Sequence, residues 1–589
     1  MILQSLVSYY EGLMARGELA PAGWSSERVS YVLELGEDGT LKTIVSSKLL
    51  DGKKMVPKKM RVPTRVKRSS GVVPNFLCDH AGYFLGFDSK GNPKRSRECF
   101  EAVAQLHQKL LADVDDEAAT VLLKFFEQWD VVHACEQEQI QQYKEELLKG
   151  ENLIFSYHGT YLQDMPVMQG AWQKYLSKED DEQHGRCMVT GKEDRIAVLH
   201  PLVKGIKNAQ SSGASLVSYN APAFCSFGKE QGKNASIGEY AANAYGEALK
   251  HLIEQMSFQQ YMGDTAVLCY ALDGNDQYGS AFDEFLFGSE GTYTEQELND
   301  MVIQLCEGKS IAYNQEQLDP TMQFYILGIA PNAARLSVRF FFAGTFGMFV
   351  ENIKQHQERL EIDRGSRDSR KNIPFYAIFR ETFRENGNGS PVLAGELTRA
   401  IINNTNYPTT LINAIDVRIR ADHKINDVRA AIIKAYYLKN QNVDVPKEVL
   451  TVELNKETKH TAYQLGRLFA VLERIQESAN PGISTTIKDK FFGSASAIPA
   501  TTFPNLINLA QKHLRKIDGG LRVHYEKQLS EIMEKIEDFP ATLNMPQRGA
   551  FQLGYYHQVQ ERYKKSQKKG GGITDERGNQ KQVRFCSFV

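Results

Sequence analysis

Residues 323–343, QFYILGIAPNAARLSVRFFFA, contain two apolar runs of strand length, 323–330 and 335–343, rich in aromatic and β-branched residues. Such runs predict two β-strands. A third run of this kind, TAVLCYAL, occupies residues 265–272. The segment that follows at 345–360, TFGMFVENIKQHQERL, has the apolar spacing of a helix. The stretch therefore predicts a mixed region of strands and helices.

The chain before this stretch also mixes the two patterns. The alternation of apolar residues, the turn residues and the helical spacing of apolar residues identify each segment. The predicted elements are a helix at 2–17, a hairpin around a Glu-Asp-Gly turn at 29–46, a short strand at 83–88 (YFLGFD), helices between 95 and 150, a β-like segment at 151–163 and a helix at 239–256.

Strand patterns fade after about residue 375, and helical patterns follow one another at 462–479, 501–517, 520–539 and 549–565. Strands followed by a series of helices are typical of the α+β class. We predict a mixed α/β N-terminal domain followed by a C-terminal α-helical bundle. The predicted segments are 1–380 (the mixed domain), 381–449 (a helical connector), 450–567 (the bundle) and 568–589 (a flexible tail that opens with a Lys/Gly-rich stretch).

Composition is that of an ordinary globular protein, with 589 residues, 42% hydrophobic and 24% charged. The net charge of −2 means that only a local excess of cations can indicate nucleic-acid binding. The eight cysteines form no CxxC pair, which argues against a zinc ribbon. No signal peptide or transmembrane run is visible, so a reduced cytoplasmic protein without membrane contact is expected.

Catalytic motifs do not stand out in the sequence. The 13 histidines form no HExxH pattern, and no GxSxG elbow, Walker A loop or GxGxxG fingerprint is present. The segment DGNDQYG at 273–279 lacks the full spacing of a calcium loop. We therefore predict a protein that is not an enzyme and that has no catalytic residue, metal or cofactor.

The segment between Asp51 and Asp79 is strongly basic and contains no acidic residue. Pro57 and Pro63 exclude a regular helix, so a loop or an irregular edge strand is expected. Such a segment can follow a phosphate backbone, because each cation that contacts a phosphate releases counterions. The alternative is a solvated charged loop. The cations of the basic segment, which are the candidates for phosphate contact, are Lys53, Lys54, Lys58, Lys59, Arg61, Arg65, Lys67 and Arg68.

Two further segments have the composition of a ligand-binding surface. From Arg195 to Lys229 the chain has no acid, and aromatic residues alternate with Gly, Ser, Asn and Gln, which suits close approach to nucleic acid or simply a long loop with a hairpin. Cations also collect in the helical region, where those near a helix C-terminus complement its dipole without any ligand. The cations of the helical region are Lys488, Lys490, Lys512, Arg515 and Lys516.

Four segments together resemble a known family. They read RSSGVVPNFLCDHAGYFLG (68–86), CMVTGKEDRIAVLHPLVKGIKNAQSSGASLVSYNAPAFCSFGKEQGKNASIGEYAANAY (187–245), FYILGIAPNAARLSVRFFF (324–342) and DKFFGSASAIPATTFP (489–504). In this order they resemble the large subunit of the type I-C CRISPR Cascade complex, the Csd family. The resemblance extends from the first helix to about residue 565.

The resemblance implies a non-catalytic subunit of an RNA-guided surveillance complex in antiviral defence. It implies recognition of a short protospacer-adjacent motif on duplex DNA, opening of the duplex, stabilisation of the R-loop and support for a recruited helicase-nuclease. The implied partners are guide RNA, target double-stranded DNA and the backbone, guide-processing and small helical subunits. The region from about 450 onward would correspond to that small subunit.

The resemblance also divides the candidate residues among roles. Residues 53–68 would hold the phosphates of the motif-bearing duplex, and the cations of the helical region are candidates for the displaced strand. Candidates for reading the motif are Asn75, Gln210, Ser211, Ser212, Asn220 and Lys229. Two alternatives stay open: a metal-dependent nuclease of the same defence system, and a scaffold that contacts only protein and RNA.

Overall fold

The fold is described from a computed structural model of the chain. The structure describes residues 1–19, 21, 23–51, 54–65, 71–88, 92–176, 184–219, 221–256, 260–288, 293–365, 372–387 and 389–570. The chain divides into two compact units. Unit 1 contains residues 1–203, 215–251 and 272–275, and unit 2 contains residues 204–214, 252–271 and 276–589.

The elements of the first half alternate short strands with helices. They are α1 (Ile2–Ala15), β1 (Trp24–Val29), β2 (Tyr31–Leu35), β3 (Leu41–Ser46), β4 (Leu49–Asp51), β5 (Lys54–Val56), β6 (Lys58–Pro63), β7 (Cys78–His80), α2 (Ala81–Phe84), α3 (Pro93–Leu111), α4 (Glu117–Gln128), α5 (Glu138–Gln141), α6 (Lys144–Leu147), β8 (Asn152–Tyr157), β9 (Thr160–Tyr161), α7 (Pro166–Leu176), β10 (His184–Arg186), β11 (Glu193–Arg195), β12 (Leu202–Val203), β13 (Ala214–Ser215) and α8 (Glu239–Gln255).

The second half begins with strands and continues with helices. Its elements are β14 (Tyr261–Met262), β15 (Thr265–Ala271), α9 (Gln277–Phe287), α10 (Glu295–Cys306), β16 (Ile311–Tyr313), β17 (Glu316–Leu318), β18 (Gln323–Asn332), β19 (Arg335–Thr345), α11 (Phe346–Leu360), α12 (Phe375–Arg380), α13 (Pro391–Ile402), α14 (Thr409–Asp422), α15 (Asp427–Asn440), α16 (Thr461–Ala479), α17 (Ile487–Ala497), α18 (Pro499–Leu514), α19 (Gly519–Met533) and α20 (Met545–Gly570).

Unit 1 is built on a mixed sheet with the strand order β3-β2-β8-β7, and β9 pairs with β8. Strands β2 and β3 form the predicted antiparallel hairpin, whereas β2 and β8 are parallel, with Leu33 beside Phe155. A parallel neighbour needs a long crossover, which here contains β7, α3 and α4.

An aromatic cluster forms the core of unit 1 between the sheet and its helices. Phe84, Phe125 and Phe126 from the helices pack around Phe155 of β8, with ring centroids 4.6 to 5.7 Å apart. Such tilted and edge-on pairs stabilise a core beyond the burial of their area. The sheet is therefore anchored at β8, which pairs with β7, the strand that follows the basic segment.

The short strand predicted at 83–88 is wrong. Residues Ala81–Phe84 form the helix α2, and the side chain of His80 accepts a hydrogen bond from the backbone N–H of Gly82 at 3.1 Å. A short apolar run does not distinguish a strand from a buried helix by its periodicity. The side-chain cap at His80 favours the helix.

Unit 2 contains an antiparallel sheet in which β15 pairs with β14 and β18, and β18 pairs with β19. Residues 323–332 and 335–345 are thus the two predicted strands, and they pair with each other as the long hairpin β18–β19. Its register shifts at Gly328, where an added Cβ would lie about 2.5 Å from the ring of Phe340. Glycine leaves room here for the ring of Phe340, which occupies the place of a side chain.

The helices of unit 2 bury a continuous apolar core that extends from Met262 to Tyr556. Helix α16 is almost wholly buried, and it packs along α20. Gly466 of α16 and Gly554 of α20 allow this close contact, since a Cβ at either glycine would overlap a backbone carbonyl of the other helix. The two helices therefore touch through their backbones.

The fold class is α+β, as predicted, with strands concentrated in the N-terminal part and helices in the C-terminal part. The four predicted segments have different bounds from the two compact units and stay a prediction. In the part of the chain that the structure describes, no helix is both long enough and apolar enough to span a membrane.

Candidate nucleic-acid interface

Residues Lys58–Pro63 of the basic segment (β6) pair with β1 in a two-stranded ribbon of unit 1, which matches the edge strand, one of the two structures expected for the segment. Strands β1 and β6 pair antiparallel from Trp24 opposite Pro63 to Val29 opposite Lys58. Met60 and Val62 are buried in a small apolar cluster, which fixes the inner face of the ribbon. Side chains alternate between the two faces of a strand, so the neighbours of Met60 and Val62 point outward.

The outer face of this cationic ribbon (β1 and β6) carries Arg28, Lys59 and Arg61, all exposed. Arg28 lies directly opposite Lys59, and Ser26 lies opposite Arg61. Like charges directly opposite each other destabilise a strand pair. Neither Arg28 nor Lys59 forms an ion pair with a described residue. A phosphate between these two side chains would relieve their repulsion.

Arg28 is absent from the cations predicted from the sequence, because it follows Glu27 and so lies outside the acid-free segment. The sequence WSSERVS (24–30) nevertheless contains a signal for Arg28. If this segment is a strand, side-chain alternation places Glu27 and Arg28 on opposite faces. Pairing with a strand thirty residues away then places Arg28 beside Lys59.

Although the basic segment contains no acid in its sequence, the carboxyl group of Asp164 lies close to Arg61 and Lys58 in the fold. Burial raises the pKa of Asp164, and the nearby charges of Arg61 and Lys58 act in the opposite direction. Arg61 also lies over the ring of Trp24, with its guanidinium carbon 5.2 Å from the ring centroid. Lys54 and Lys58 are exposed like Lys59.

Arg65 differs from the other cations of the segment. Its Nη1 donates a hydrogen bond to Oδ1 of Asn152 at 2.7 Å, and its Nη2 lies 3.8 Å from Oδ1 of Asp79. The side chain of Asp79 is fully buried and that of Arg65 is 21% exposed. The structure thus gives Arg65 an internal partner, unlike the phosphate contact predicted, because a buried carboxylate needs a compensating charge.

Replacing Arg65 with Met is therefore expected to lower the free energy of unfolding by about 2 kcal/mol, because the Asp79 carboxylate would lose its ion-pair partner. Lys59→Met is the matched control, and as a surface change it is expected to stay within about 0.5 kcal/mol of wild type. Urea unfolding of both variants measures this difference. Equal stability of the two variants would contradict the internal role of Arg65.

Asn75 lies inside unit 1 and is only 3% exposed. Its backbone N–H and its side-chain amide both donate to Oδ2 of Asp79, at 3.1 and 3.2 Å. The predicted groove reading by Asn75 does not fit this position, since the amide faces a buried carboxylate. Asn75 and Arg65 instead share Asp79 and connect the ribbon to the core.

The residues after Asn75 are also held internally. Leu77 has the left-handed φ of 56°, and its N–H donates to Nε2 of His107 at 3.1 Å. Burial lowers the pKa of His107 to about 4, so the ring is neutral and its Nε2 can accept. Phe76 stacks on Trp172 with ring centroids 5.6 Å apart. Phe76 and Leu77 therefore belong to the apolar core of unit 1.

The acid-poor loop (residues 204–234) places most of its candidates at the surface. Gln210, Ser211 and Ser212 are exposed in unit 2, and Lys229 is exposed in unit 1. Phe227, close to Lys229, is 97% exposed and has a φ of 54°. An aromatic side chain held open in this way suits stacking on a base.

One asparagine organises the loop around Lys229. Oδ1 of Asn234 accepts from the N–H of Ser226 at 2.8 Å, and its Nδ2 donates to the carbonyls of Lys229 and Gln231 at 3.1 and 3.0 Å. These bonds fix the backbone while the side chains of Phe227 and Lys229 face solvent. The loop backbone around Lys229 is therefore held by hydrogen bonds, and the side chains of Phe227 and Lys229 are exposed.

The model of the family described as CRISPR-associated protein (Cas_Csd1) matches residues 6–563. The chain belongs to the Cas_Csd1 family. The match covers the ribbon, the acid-poor loop and the helical region, and it confirms the resemblance to the Csd family. No curated protein matches the chain significantly.

The helical cations of this Cas_Csd1 protein fall into two groups. Nζ of Lys488 lies 4.7 Å from the ring centroid of Tyr555, and burial lowers the pKa of Lys488 while Glu473 acts in the opposite direction. Lys488 is thus partly committed to the interior of the bundle. The exposed group consists of Lys490, Lys512, Arg515 and Lys516.

Four predicted site residues of the Cas_Csd1 chain lie outside the described residues: Lys53, Lys67, Arg68 and Asn220. Among the described candidates, the structure brings Lys58, Lys59 and Arg61 together on one strand and adds Arg28. It separates them from Arg65 and Asn75, whose side chains turn inward. The exposed cationic face is therefore the strongest candidate for contact with nucleic acid.

Proposed function

We propose that this chain is the non-catalytic large subunit of a type I-C RNA-guided surveillance complex. It recognises the protospacer-adjacent motif on duplex DNA, helps to open the duplex, stabilises the R-loop and supports recruitment of the helicase-nuclease. Its partners are guide RNA, target DNA and the backbone, guide-processing and small helical subunits, in the cytoplasm. Membership in a CRISPR-associated family supports this proposal and gives no support to the nuclease alternative.

The observation that carries the DNA contact is the outer face of the cationic ribbon. Arg28 and Lys59 are directly opposed, exposed and without an ion pair among the described residues. Phosphates bound there position a duplex but do not read its sequence. Strand exchange between DNA and guide RNA is nearly balanced in energy, so contacts of this kind are needed to start it.

Motif reading requires side chains that present donors to base edges. Gln210 and Lys229 are exposed and have the polar groups for this task, with Ser211 and Ser212 as neighbours of Gln210. Phe227 adds an exposed ring beside Lys229. We therefore propose two separate candidates for motif reading in place of Asn75: Gln210 in unit 2 and Lys229 in unit 1.

The test uses the assembled complex and a library of target duplexes randomised next to the target. Wild type is expected to enrich a short motif. Gln210→Ala or Lys229→Ala should lower that enrichment by about tenfold, because a good base contact is worth about 1–3 kcal/mol of discrimination.

Lys233→Ala is the matched control, since Lys233 is an exposed lysine of the same loop. It should leave the enriched motif and its enrichment unchanged. If both loop variants keep the wild-type enrichment, the assignment of motif reading to this loop is wrong. If the wild-type complex enriches no motif, the proposed function itself is wrong.

A further inference from the structure

A cavity of about 390 Å³ opens in unit 2 between α14, the end of α15 and the start of α20. The side-chain amides of four exposed residues line this amide cavity: Asn406, Asn413, Gln441 and Asn442. None of its described lining residues carries a charge. The cavity has the size of a small-molecule site, and its polar groups can orient a ligand through hydrogen bonds.

The floor of the amide cavity is apolar and aromatic. Ile412, Tyr436 and Tyr437 line it and are 5%, 7% and 3% exposed. A flat ring with donors and acceptors along its edge suits such a floor and such a rim. Asparagine and glutamine amides pair with the edges of nucleobases, whereas an aliphatic ligand would leave these amides unpaired. The lining therefore favours a nucleobase.

Three cations of α11 and α15 also lie together in unit 2. Arg359, Lys434 and Lys439 form no ion pair with a described residue. Lys434 is only 2% exposed, and its Nζ donates to the backbone carbonyl of Arg359 at 2.9 Å. Burial lowers the pKa of Lys434 to about 8, and the charge of Glu361 acts in the opposite direction. Burial and then the charge of Arg359 lower the pKa of Lys439. The cations therefore repel one another.

Hydrogen bonds position two of these side chains, which we call the cation pair (Arg359 and Lys439). Nε of Arg359 donates to the hydroxyl of Tyr407 at 3.2 Å, whereas its Nη2 is buried without a hydrogen-bond partner among the described residues. Nζ of Lys439 donates to Oδ1 of Asn404 at 2.7 Å. A buried donor without an acceptor is costly, and an oxygen of a bound anion would supply that acceptor.

Tyr407 connects the cation pair to the amide cavity. Asn440, which lines the cavity, accepts from the backbone N–H of Tyr407 at 2.9 Å and donates to its carbonyl at 2.8 Å. The hydroxyl of the same tyrosine contacts Arg359, and Lys439 directly precedes Asn440. The cavity and the cation pair are thus about one tyrosine side chain apart. A nucleotide spans a similar distance from its base to its phosphate.

We propose that this site binds one nucleotide of a single strand, with the base in the amide cavity and the phosphate on Arg359 and Lys439. A single strand is required, because the bases of a duplex are paired and stacked and cannot enter a cavity. The site lies in unit 2 and the cationic ribbon in unit 1, so nucleotide binding does not depend on the duplex grip. Only the source of the strand, guide RNA or displaced DNA, rests on the proposed function.

The test measures binding of short single-stranded RNA and DNA homopolymers to the full-length protein by fluorescence anisotropy. The variant Asn406→Ala/Asn413→Ala is expected to bind the preferred homopolymer about tenfold more weakly and to lose the preference, because contacts to the base edge are lost. Its salt dependence should be that of wild type. Asn403→Ala is the matched control, since Asn403 is an exposed asparagine close in sequence that does not line the cavity.

Lys439→Met tests the phosphate contact. It should make the slope of log affinity against log salt concentration shallower by about 0.7, the contribution of one phosphate in a single strand, and leave the base preference unchanged. Lys439→Arg retains the charge and should retain the slope. Lys447→Met is the control, because Lys447 is exposed in the same unit and lies outside the site. Thermal unfolding of each variant verifies that it is folded.

Wild-type affinity and base preference in the amide variant would overturn the base site, and an unchanged salt slope in Lys439→Met would overturn the phosphate contact. Losses with RNA alone, with DNA alone or with both support the site and identify the strand as guide, displaced strand or either. Loss of a Cascade subunit on co-purification, with single-strand binding unchanged, would show that the cations bind a protein carboxylate and that the nucleotide site is wrong. None of these outcomes depends on the motif test of the proposed function.

Discussion

Replacing Arg28, Lys59 and Arg61 with alanine is expected to lower the affinity for duplex DNA on the order of a hundredfold at 0.1 M salt, because three phosphate contacts are lost. The three side chains are exposed on one face of the cationic ribbon. The loss should be similar for every duplex sequence, since phosphate contacts carry no sequence information. Electrophoretic mobility shift or fluorescence anisotropy measures it.

The control for this variant changes three exposed cations elsewhere in the same unit: Lys124, Lys149 and Arg186. It removes the same net charge, so it corrects for the general field of the protein. The control should retain most of the wild-type affinity. An equal loss in both triple variants would show that the ribbon has no special role.

Replacing Gly466 with alanine is expected to destabilise the helical region by about 3 kcal/mol or more, because the added methyl group overlaps backbone atoms. The methyl group would meet the carbonyl oxygen of Phe551 and the backbone nitrogen of Tyr555 on α20. A backbone cannot move aside as a side chain can, so α16 and α20 must separate. Gly554→Ala should act in the same way through the carbonyl of Tyr463.

Gly493→Ala is the matched control for the helix contact. Gly493 also lies within a helix, α17, but a Cβ there meets nothing within 4 Å. Alanine should stabilise that helix by up to about 1 kcal/mol, because it has the higher helix propensity. Urea unfolding measures both variants, and the midpoint is expected to fall for Gly466→Ala but not for Gly493→Ala. A Gly466→Ala midpoint at or above that of wild type would contradict the backbone contact between α16 and α20.

Local pattern was enough to predict much of the fold. Strands β18 and β19 and the buried helix α16 were predicted because the sequence itself carries their pattern of apolar residues. The parallel pairing of β2 with β8 was not predicted, because it joins residues more than a hundred positions apart. Short runs such as Ala81–Phe84 carried too little periodicity, and a side-chain cap determined their structure.

The candidate site was predicted as a region but not residue by residue. Charge counting located the basic segment and included Lys59 and Arg61, which the structure places exposed on the outer face of the ribbon. It could not exclude Arg65, whose partners Asn152 and Asp79 come from other strands. It could not include Arg28 either, because only the pairing of β1 with β6 brings that residue to the site.

The dependence of duplex binding on salt concentration tests the proposed DNA grip most directly. The logarithm of the binding constant falls linearly with the logarithm of salt concentration, and each phosphate contact contributes about 0.9 to the slope. The Arg28→Ala/Lys59→Ala/Arg61→Ala variant should therefore have a slope shallower than wild type by about 2.7. Identical slopes for the two proteins would contradict a grip on DNA phosphates by the cationic ribbon.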